Sequence, residues 1–173
     1  QFPNDLLITI DDDFFYPSNL ISDLLELHSK FPEEICCERG YLMKICEDII
    51  HPYNNWEYLS SGRGPSFDIF QTSGGGTLYP PSSLHHEVLN KKIFLEYCNT
   101  ADDVWLNVMS QMNSTKIIKS NNHFEPIPIW IESNIILSKI NVGENQNDVQ
   151  INELRKFFIL KYNKDPFFNF IST

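Results

Sequence analysis

Positive charge is scarce in this sequence, and no part of it is densely basic. The 173 residues include 13 Lys and Arg against 23 Asp and Glu, which gives a formal net charge of −10 at pH 7. Basic residues cluster no more densely than in Lys91 with Lys92, or Arg155 with Lys156. A nucleic-acid-binding protein needs a basic surface to displace the counterions of the phosphate backbone. The composition therefore predicts no nucleic-acid partner.

A long apolar run is also lacking. A transmembrane helix needs about 20 consecutive apolar residues, and no segment of the sequence approaches that length. Residues 1–5 carry no basic residue of the kind that opens a secretory signal peptide. We therefore expect no transmembrane segment in this chain, and a cytoplasmic location, either in solution or peripherally at the inner face of the membrane.

Cysteine occurs only at Cys36, Cys37, Cys46 and Cys98, and no two of these form a C-x-x-C pair. This spacing fits no zinc site, so we expect reduced thiols, as in other cytoplasmic proteins. The composition is 42% hydrophobic and 13% aromatic, which excludes a disordered chain. Residues 1–173 are enough to bury a core, and we expect them to form a single domain.

Strand and helix patterns alternate along the chain, which predicts an α/β fold with a mixed sheet flanked by helices. A buried strand is expected at residues 6–10, and further strands at 35–37, 77–79, 117–118 and 127–131. Helices are expected to begin at Ser18, at Ser82 or Ser83, near residues 100–103, and at Asn147 or Asp148. Residues 47–72 lack periodicity and are predicted to be a long functional loop.

Three aspartates follow the first apolar run directly: Asp11, Asp12 and Asp13, the aspartate triplet. Adjacent like charges repel one another unless they are solvated or neutralised. Mg²⁺ and Mn²⁺ bind one or two carboxylates and complete their shell with water and substrate phosphate. The end of a strand in an α/β sheet is a frequent ligand site. The triplet therefore predicts a site for a divalent cation, with a solvated turn as the alternative.

Two enzyme classes place such a motif after a strand. Phosphatases of the haloacid-dehalogenase type use D-x-D-x-[TV], in which Asp11 would be the nucleophile, but Phe15 stands where that motif has Thr or Val. Glycosyltransferases use D-x-D to bind the metal that bridges the donor diphosphate. The rest of the sequence favours the second class.

Two further motifs follow in order: Gly74, Gly75 and Gly76 (the glycine triplet) before T-L-Y-P-P, and then the acidic pair Asp102 and Asp103 before Val-Trp. With the aspartate triplet, this order resembles GT-A glycosyltransferases, in particular bacterial enzymes of capsule and surface polysaccharide synthesis and the Fringe-like enzymes. The resemblance covers about residues 6–154. It implies a metal-dependent enzyme that moves a sugar from a nucleotide-sugar donor to a glycan or lipid-linked glycan acceptor. We expect the transfer to invert the configuration at the anomeric carbon, and a UDP-sugar to be the donor.

The resemblance also implies roles for individual residues. All three aspartates of the triplet would bind the donor and its Mn²⁺ or Mg²⁺, with Asp13 as the direct metal ligand and Asp11 reaching the ribose or a metal-bound water. The glycine triplet would form a flat edge that donor and acceptor sugars approach closely. One residue of the acidic pair, preferably Asp103, would be the general base, whereas helix capping would equally explain acids in a first turn.

Aromatic residues offer a sugar ring an apolar face. Trp56, Tyr58 and Tyr79 could stack on the acceptor, and core packing explains each equally well. His123 is a weaker candidate for a further metal ligand.

The sequence departs from the GT-A pattern at its start. Only ten residues precede Asp11, whereas these enzymes carry a base-binding βαβ segment of roughly a hundred residues there. We therefore expect this chain to be the metal- and acceptor-binding portion of a longer glycosyltransferase, which leaves its own activity open. A non-catalytic carbohydrate-binding fragment is the remaining alternative.

Overall fold

Short strands and four α-helices form the regular structure, which we describe from a computed structural model for residues 4–46, 49–122, 127–129, 139–143 and 145–167. The strands are β1 (Leu7–Thr9), β2 (Phe14–Phe15), β3 (Ile35–Cys37), β4 (Gly40–Leu42), β5 (Ile45–Cys46), β6 (Ile49–Ile50), β7 (Glu57–Tyr58), β8 (Arg63–Ser66), β9 (Ile69–Gln71), β10 (Thr77–Tyr79), β11 (Ile117–Lys119) and β12 (Ile127–Pro128). The helices are α1 (Leu20–Lys30), α2 (Lys91–Tyr97), α3 (Asp102–Met112) and α4 (Gln146–Tyr162).

The largest sheet has the strand order β1-β10-β3-β11-β8. Strands β3 and β11 are parallel, and the other three pairings are antiparallel. A second sheet has the order β7-β4-β9, and two strand pairs, β2 with β12 and β5 with β6, complete the described topology. The predicted α/β class with a mixed sheet is confirmed.

Alternation along the central strands gives the large sheet two apolar faces. Cys36, Leu78 and Ile118 pack on one face with Leu20 and Leu24 of α1. Ile35, Tyr79 and Ile117 lie on the other face, where Leu106 of α3 packs against them. A further core joins α3 and α4 to the second sheet. Both faces of the large sheet are therefore covered by helices, and the carboxyl end of β1 lies at the sheet edge.

Three strand predictions agree with the structure, at β3, β10 and β11. The predicted strand at 127–131 agrees at β12, while residues 130–131 lie outside the described part of the chain. The four cysteines are free, as expected. Within the described residues, no helix has the length and hydropathy to cross a membrane.

The prediction that the first strand is buried was wrong. Leu7 is 49% exposed and Ile10 is 54% exposed. Strand β1 pairs with β10 alone in the sheet order, so it is an edge strand with solvent along one side. Apolar residue types are common on edge strands too, which is why composition by itself does not distinguish the two positions.

Two predicted helix starts were also wrong. Ser82 has a φ of 61°, outside the conformation of an N-cap, and helix α2 begins only at Lys91, where Asn90 Oδ1 accepts the N–H of Ile93 at 3.3 Å. Helix α1 is preceded by Asn19 rather than Ser18.

The third misplaced start is that of α4, which follows Asn145, so Asn147 and Asp148 lie within its first turn. Asp148 instead accepts the backbone N–H of Tyr53 at 2.8 Å. The region 47–72, predicted to be a loop, contains β6, β7, β8 and β9.

Candidate functional site

A cavity of about 500 Å³ opens beside the aspartate triplet. All three aspartates of the triplet line it, together with Asp102 from the first turn of α3. The remaining wall is formed by Ile10, Phe94, Asn99 and Thr100. The aspartate triplet and Asp102, which are far apart in the sequence, therefore face one cavity, whereas Asp103 is not among its lining residues.

Pairing of β1 with β10 explains how the triplet reaches this place. Thr9 at the end of β1 lies opposite Thr77 at the start of β10. The triplet leaves β1 at the same point where the glycine triplet enters β10. An added Cβ on Gly74 would lie 3.0 Å from Asp11 Oδ2, so the Asp11 carboxylate packs directly on this glycine.

The backbone around Asp11 is also tied to the glycine triplet. The N–H of Asp11 donates to the hydroxyl of Tyr16 at 2.9 Å, and this hydroxyl donates to the carbonyl of Gly74 at 3.3 Å. The start of the aspartate triplet is therefore held against Gly74 by both packing and hydrogen bonds.

Ser73 connects the two acidic motifs. Its N–H donates to Asp103 Oδ1 at 2.7 Å, and its side chain lowers the pKa of both Asp103 and Asp11. Ser73 is buried, with 5% of its surface exposed. Since one buried residue contacts both carboxylates, it holds the start of the aspartate triplet and the start of α3 in a set relation.

Two carboxyl groups of this region, Asp11 and Asp103, are held where ionisation is disfavoured. Burial raises the pKa of Asp11, and the charges of Asp102, Asp13 and Asp12 raise it further, against the lowering effect of Ser73. Burial, together with the charges of Asp102 and Asp11, raises the pKa of Asp103 to about 7. No ion pair to these carboxylates is found within the described ranges. Negative charge is therefore concentrated at this cavity, and no Lys or Arg of the described residues pairs with it.

The carboxylate oxygens suit a hard divalent cation, but they do not form a complete cage. Among the residues whose placement is described, no three His, Cys, Asp or Glu side chains converge closely enough to hold a metal ion. Mg²⁺ is commonly held by one or two carboxylates, with water and substrate phosphates in the other positions. The donor set therefore fits a cation shared with a phosphorylated ligand better than a permanently bound one.

The predicted substrate-binding residues lie deeper than the acidic ones. Gly74, Gly75 and Gly76 are buried. An added Cβ on Gly75 would come within 2.1 Å of Arg39 Cβ, and Gly76, with a φ of 88°, packs against Leu20. These glycines are thus required by the close approach of other parts of the chain. Their predicted contact with a sugar stays a prediction.

The aromatic candidates divide in the same way. Tyr79 is 3% exposed and Trp56 is 7% exposed, and both belong to the hydrophobic core. Tyr58 is partly exposed on β7. The structure therefore gives Tyr79 and Trp56 a packing role, whereas Tyr58 keeps an accessible surface. His123 lies outside the described residues.

Several residues of the site carry no motif that sequence reasoning could recognise. Phe94, Asn99 and Thr100 enter the cavity wall only because α2 and α3 meet there. Ser73 was detectable in principle, since it directly precedes the glycine triplet. Its contacts with two distant carboxylates, however, depend on the folded chain.

Comparison with known proteins gave no match to a protein-family model, to a curated protein or to a solved structure.

Proposed function

We propose that this chain is the metal- and acceptor-binding portion of a glycosyltransferase of the GT-A type. It would transfer a sugar from a nucleotide-sugar donor to a glycan or lipid-linked glycan in surface polysaccharide synthesis. The observation that carries this proposal is the meeting of the aspartate triplet and Asp102 at one cavity, with Asp103 held behind it by the N–H of Ser73. Sugar transfer needs a cation at the leaving diphosphate and a general base at the attacking hydroxyl, and separate carboxylates can hold the one and act as the other.

In this proposal the aspartate triplet serves the donor side. Asp13 and Asp11 would hold Mn²⁺ or Mg²⁺, which when bound would offset the charge of the leaving diphosphate. Asp12 lines the same cavity. The contacts of Asp11 with Ser73 and Gly74 orient its carboxylate, so that little rearrangement is needed when a ligand arrives.

The acidic pair serves the acceptor side. Asp103 would remove the proton from the attacking hydroxyl, because a carboxyl with a pKa of about 7 can both accept and release a proton near neutral pH. Asp102 raises that pKa by its charge and lines the cavity itself. Ser73 holds Asp103 through its N–H. The alternative, phosphate-ester hydrolysis of the haloacid-dehalogenase type, is disfavoured because Phe15 stands where that motif has Thr or Val.

The test is a calorimetric titration of Mn²⁺ into the protein, with and without UDP, in the natural sequence and in Asp13→Ala. We expect UDP to strengthen Mn²⁺ binding at least about tenfold, equivalent to about 1.4 kcal/mol, because the carboxylates alone leave coordination positions open. Asp13→Ala should abolish this gain. Asp5→Ala is a suitable control, since Asp5 is exposed in the same segment and does not line the cavity.

Two results would contradict the proposal. If Mn²⁺ bound but UDP added nothing, the acidic cavity would not be a diphosphate site in this chain. If neither bound, the aspartate triplet would be a solvated turn, and the convergence of the acidic motifs would have another explanation.

A further inference from the structure

Arg39 is a positively charged side chain next to the acidic site, in the segment between β3 and β4. It is partly exposed. Its Nη1 donates to Thr72 Oγ1 at 3.3 Å, and its Nη2 donates to the hydroxyl of Tyr41 at 3.1 Å. Both acceptors are neutral, and no carboxylate in the described ranges forms an ion pair with it. In a chain with a net charge of −10, a cation without an acidic partner is unexpected.

Two tyrosine rings surround the guanidinium group. Arg39 Cζ lies 5.5 Å from the ring centroid of Tyr41 and 6.0 Å from that of Tyr58. The two rings pack edge to face, with centroids 5.7 Å apart, on the paired strands β4 and β7. Both tyrosines are partly exposed. The rings stabilise the cation, and tyrosine also presents a sugar with an apolar face and a polar tip.

This group is connected to Asp103 through two consecutive residues. Thr72 donates its N–H to the carbonyl of Arg39 at 3.2 Å and accepts the guanidinium hydrogen bond on its side chain. The next residue, Ser73, binds Asp103. Arg39 and Asp103 also act with opposite sign on Tyr53, whose pKa is raised mainly by burial and by Tyr41. Arg39 and the proposed general base therefore belong to one neighbourhood.

The chemistry of arginine indicates what this neighbourhood could bind. A guanidinium has five N–H donors in a planar fork that matches a carboxylate or a phosphate. Only two hydrogen bonds from its terminal nitrogens are made to described residues. An anion that reached Arg39 would find donors available, in charge-assisted hydrogen bonds that are stronger than neutral ones.

We propose that Arg39, with Tyr41 and Tyr58, forms an acceptor subsite that selects a sugar carrying a carboxylate or a phosphate group. The anionic group would bind the guanidinium, the sugar ring would lie against the tyrosines, and the attacking hydroxyl would face Asp103. This inference rests on the proposed sugar transfer and adds the chemical class of the acceptor to it.

The test is a titration of ¹⁵N-labelled protein with single sugars, followed by amide chemical shifts. D-galacturonate and glucose 6-phosphate are the anionic probes, and galactose and glucose are their neutral counterparts. We expect at least one anionic sugar to shift the signals of Arg39, Tyr41 and Thr72 in a saturable manner, while the neutral sugars bind at least about tenfold more weakly. Which of the two anions saturates the site distinguishes a carboxylate from a phosphate.

Variants locate the effect at the guanidinium. Arg39→Gln should weaken anionic-sugar binding at least about tenfold, and Arg39→Lys should weaken it less, because the charge stays but the planar fork is lost. Arg63→Gln is the matched control, since Arg63 is engaged with Asp68 at 2.6 Å and should not contribute. Thermal unfolding of each variant establishes whether it folds. If Arg39→Gln does not fold, the binding of anionic sugars by Arg39→Lys still decides the test.

Equal binding of neutral and anionic sugars would overturn the inference, as would unchanged affinity in the Arg39 variants or no binding at all. The Arg39 variants are also titrated with Mn²⁺ and UDP, and this binding should be retained. Its loss would place Arg39 at the donor and not the acceptor. Binding of Mn²⁺ and UDP without binding of an anionic sugar would contradict this inference and leave the proposed function intact. Binding of an anionic sugar without binding of Mn²⁺ and UDP would contradict the proposed function.

Discussion

Two groups of acidic side chains in this protein have opposite electrostatic surroundings. Glu87 forms an ion pair with Lys161 and accepts hydrogen bonds from Tyr162 at 2.5 Å and Asn90 at 2.8 Å. These donors, with Lys161 the foremost, lower the pKa of Glu87 to about 2. Asp11 and Asp103 have other carboxylates as neighbours instead, and burial together with those charges raises the pKa of both.

The difference separates a structural acid from a candidate functional one. Glu87 joins the 3₁₀ turn His86–Leu89 to α4, so its partners are supplied by the fold itself. Within the described residues Asp11 and Asp103 have no such cation, and neighbouring carboxylates add to the rise in their pKa. A fold that keeps like charges together gives up stability there, and strongly shifted acids in a cleft are typical of sites completed by a ligand.

The largest expected effect is on catalysis by Asp103. If it is the general base, Asp103→Asn should lower the rate of sugar transfer by about 10²–10⁴-fold, while binding of Mn²⁺ and UDP stays intact. Asp102→Asn is the natural comparison, because its charge raises the pKa of Asp103 and its loss should move the pH dependence of the rate to lower pH. Transfer from UDP-sugars, measured across pH in both variants, checks this. An unchanged rate in Asp103→Asn would show that Asp103 is not the general base.

A second effect should appear in the stability of the folded chain. The pKa of Asp103 is raised from an ordinary value of 3.8 to about 7, so between these values the folded state holds a proton that the unfolded state has released. Its contribution to stability is therefore lost as the pH rises through this window, with a slope of up to about 1.4 kcal/mol per pH unit.

Urea unfolding at several pH values between about 5 and 7 measures that slope. Asp103→Asn should flatten it and should be more stable than the natural sequence above about pH 7. The same slope in both proteins would show that Asp103 is not held in a site that disfavours its ionisation, and the contrast with Glu87 would then fail.

The smallest effect is expected at Glu87, where the contribution to stability depends on pH with the opposite sign. Its pKa is lowered from 4.5 to about 2, so its stabilising contribution is present above pH 4.5 and is lost as the pH falls toward 2. Glu87→Gln should lower the thermal midpoint by a few degrees near neutral pH, and the difference should shrink in acid. Glu153→Gln serves as the control, since its pair with Lys156 is exposed and should matter less. Equal effects of the two variants would contradict a special role for Glu87.

Sequence patterns predicted secondary structure most reliably where the apolar residues of a segment are also buried in the fold. Strands β3 and β11 are short apolar runs whose residues are buried on both faces of the sheet, and α3 carries its apolar residues at helical spacing. Predictions from a single residue type were weaker. Ser82 could not cap a helix because its backbone adopts a positive φ, and nothing in the residues 6–10 distinguishes an edge strand from a central one.

The sequence by itself determined which residues carry charge and where the apolar runs lie. From these came the α/β class, the two acidic motifs and the absence of a basic surface, because each depends only on residue type and spacing. Only the tertiary structure decided that Ser73 affects both Asp11 and Asp103, that Phe94 and Thr100 line the cavity at Asp11, and that Arg39 bonds to Thr72 next to Ser73. Such contacts join residues distant in the chain, and they arise from strand pairing and helix packing that no local pattern encodes.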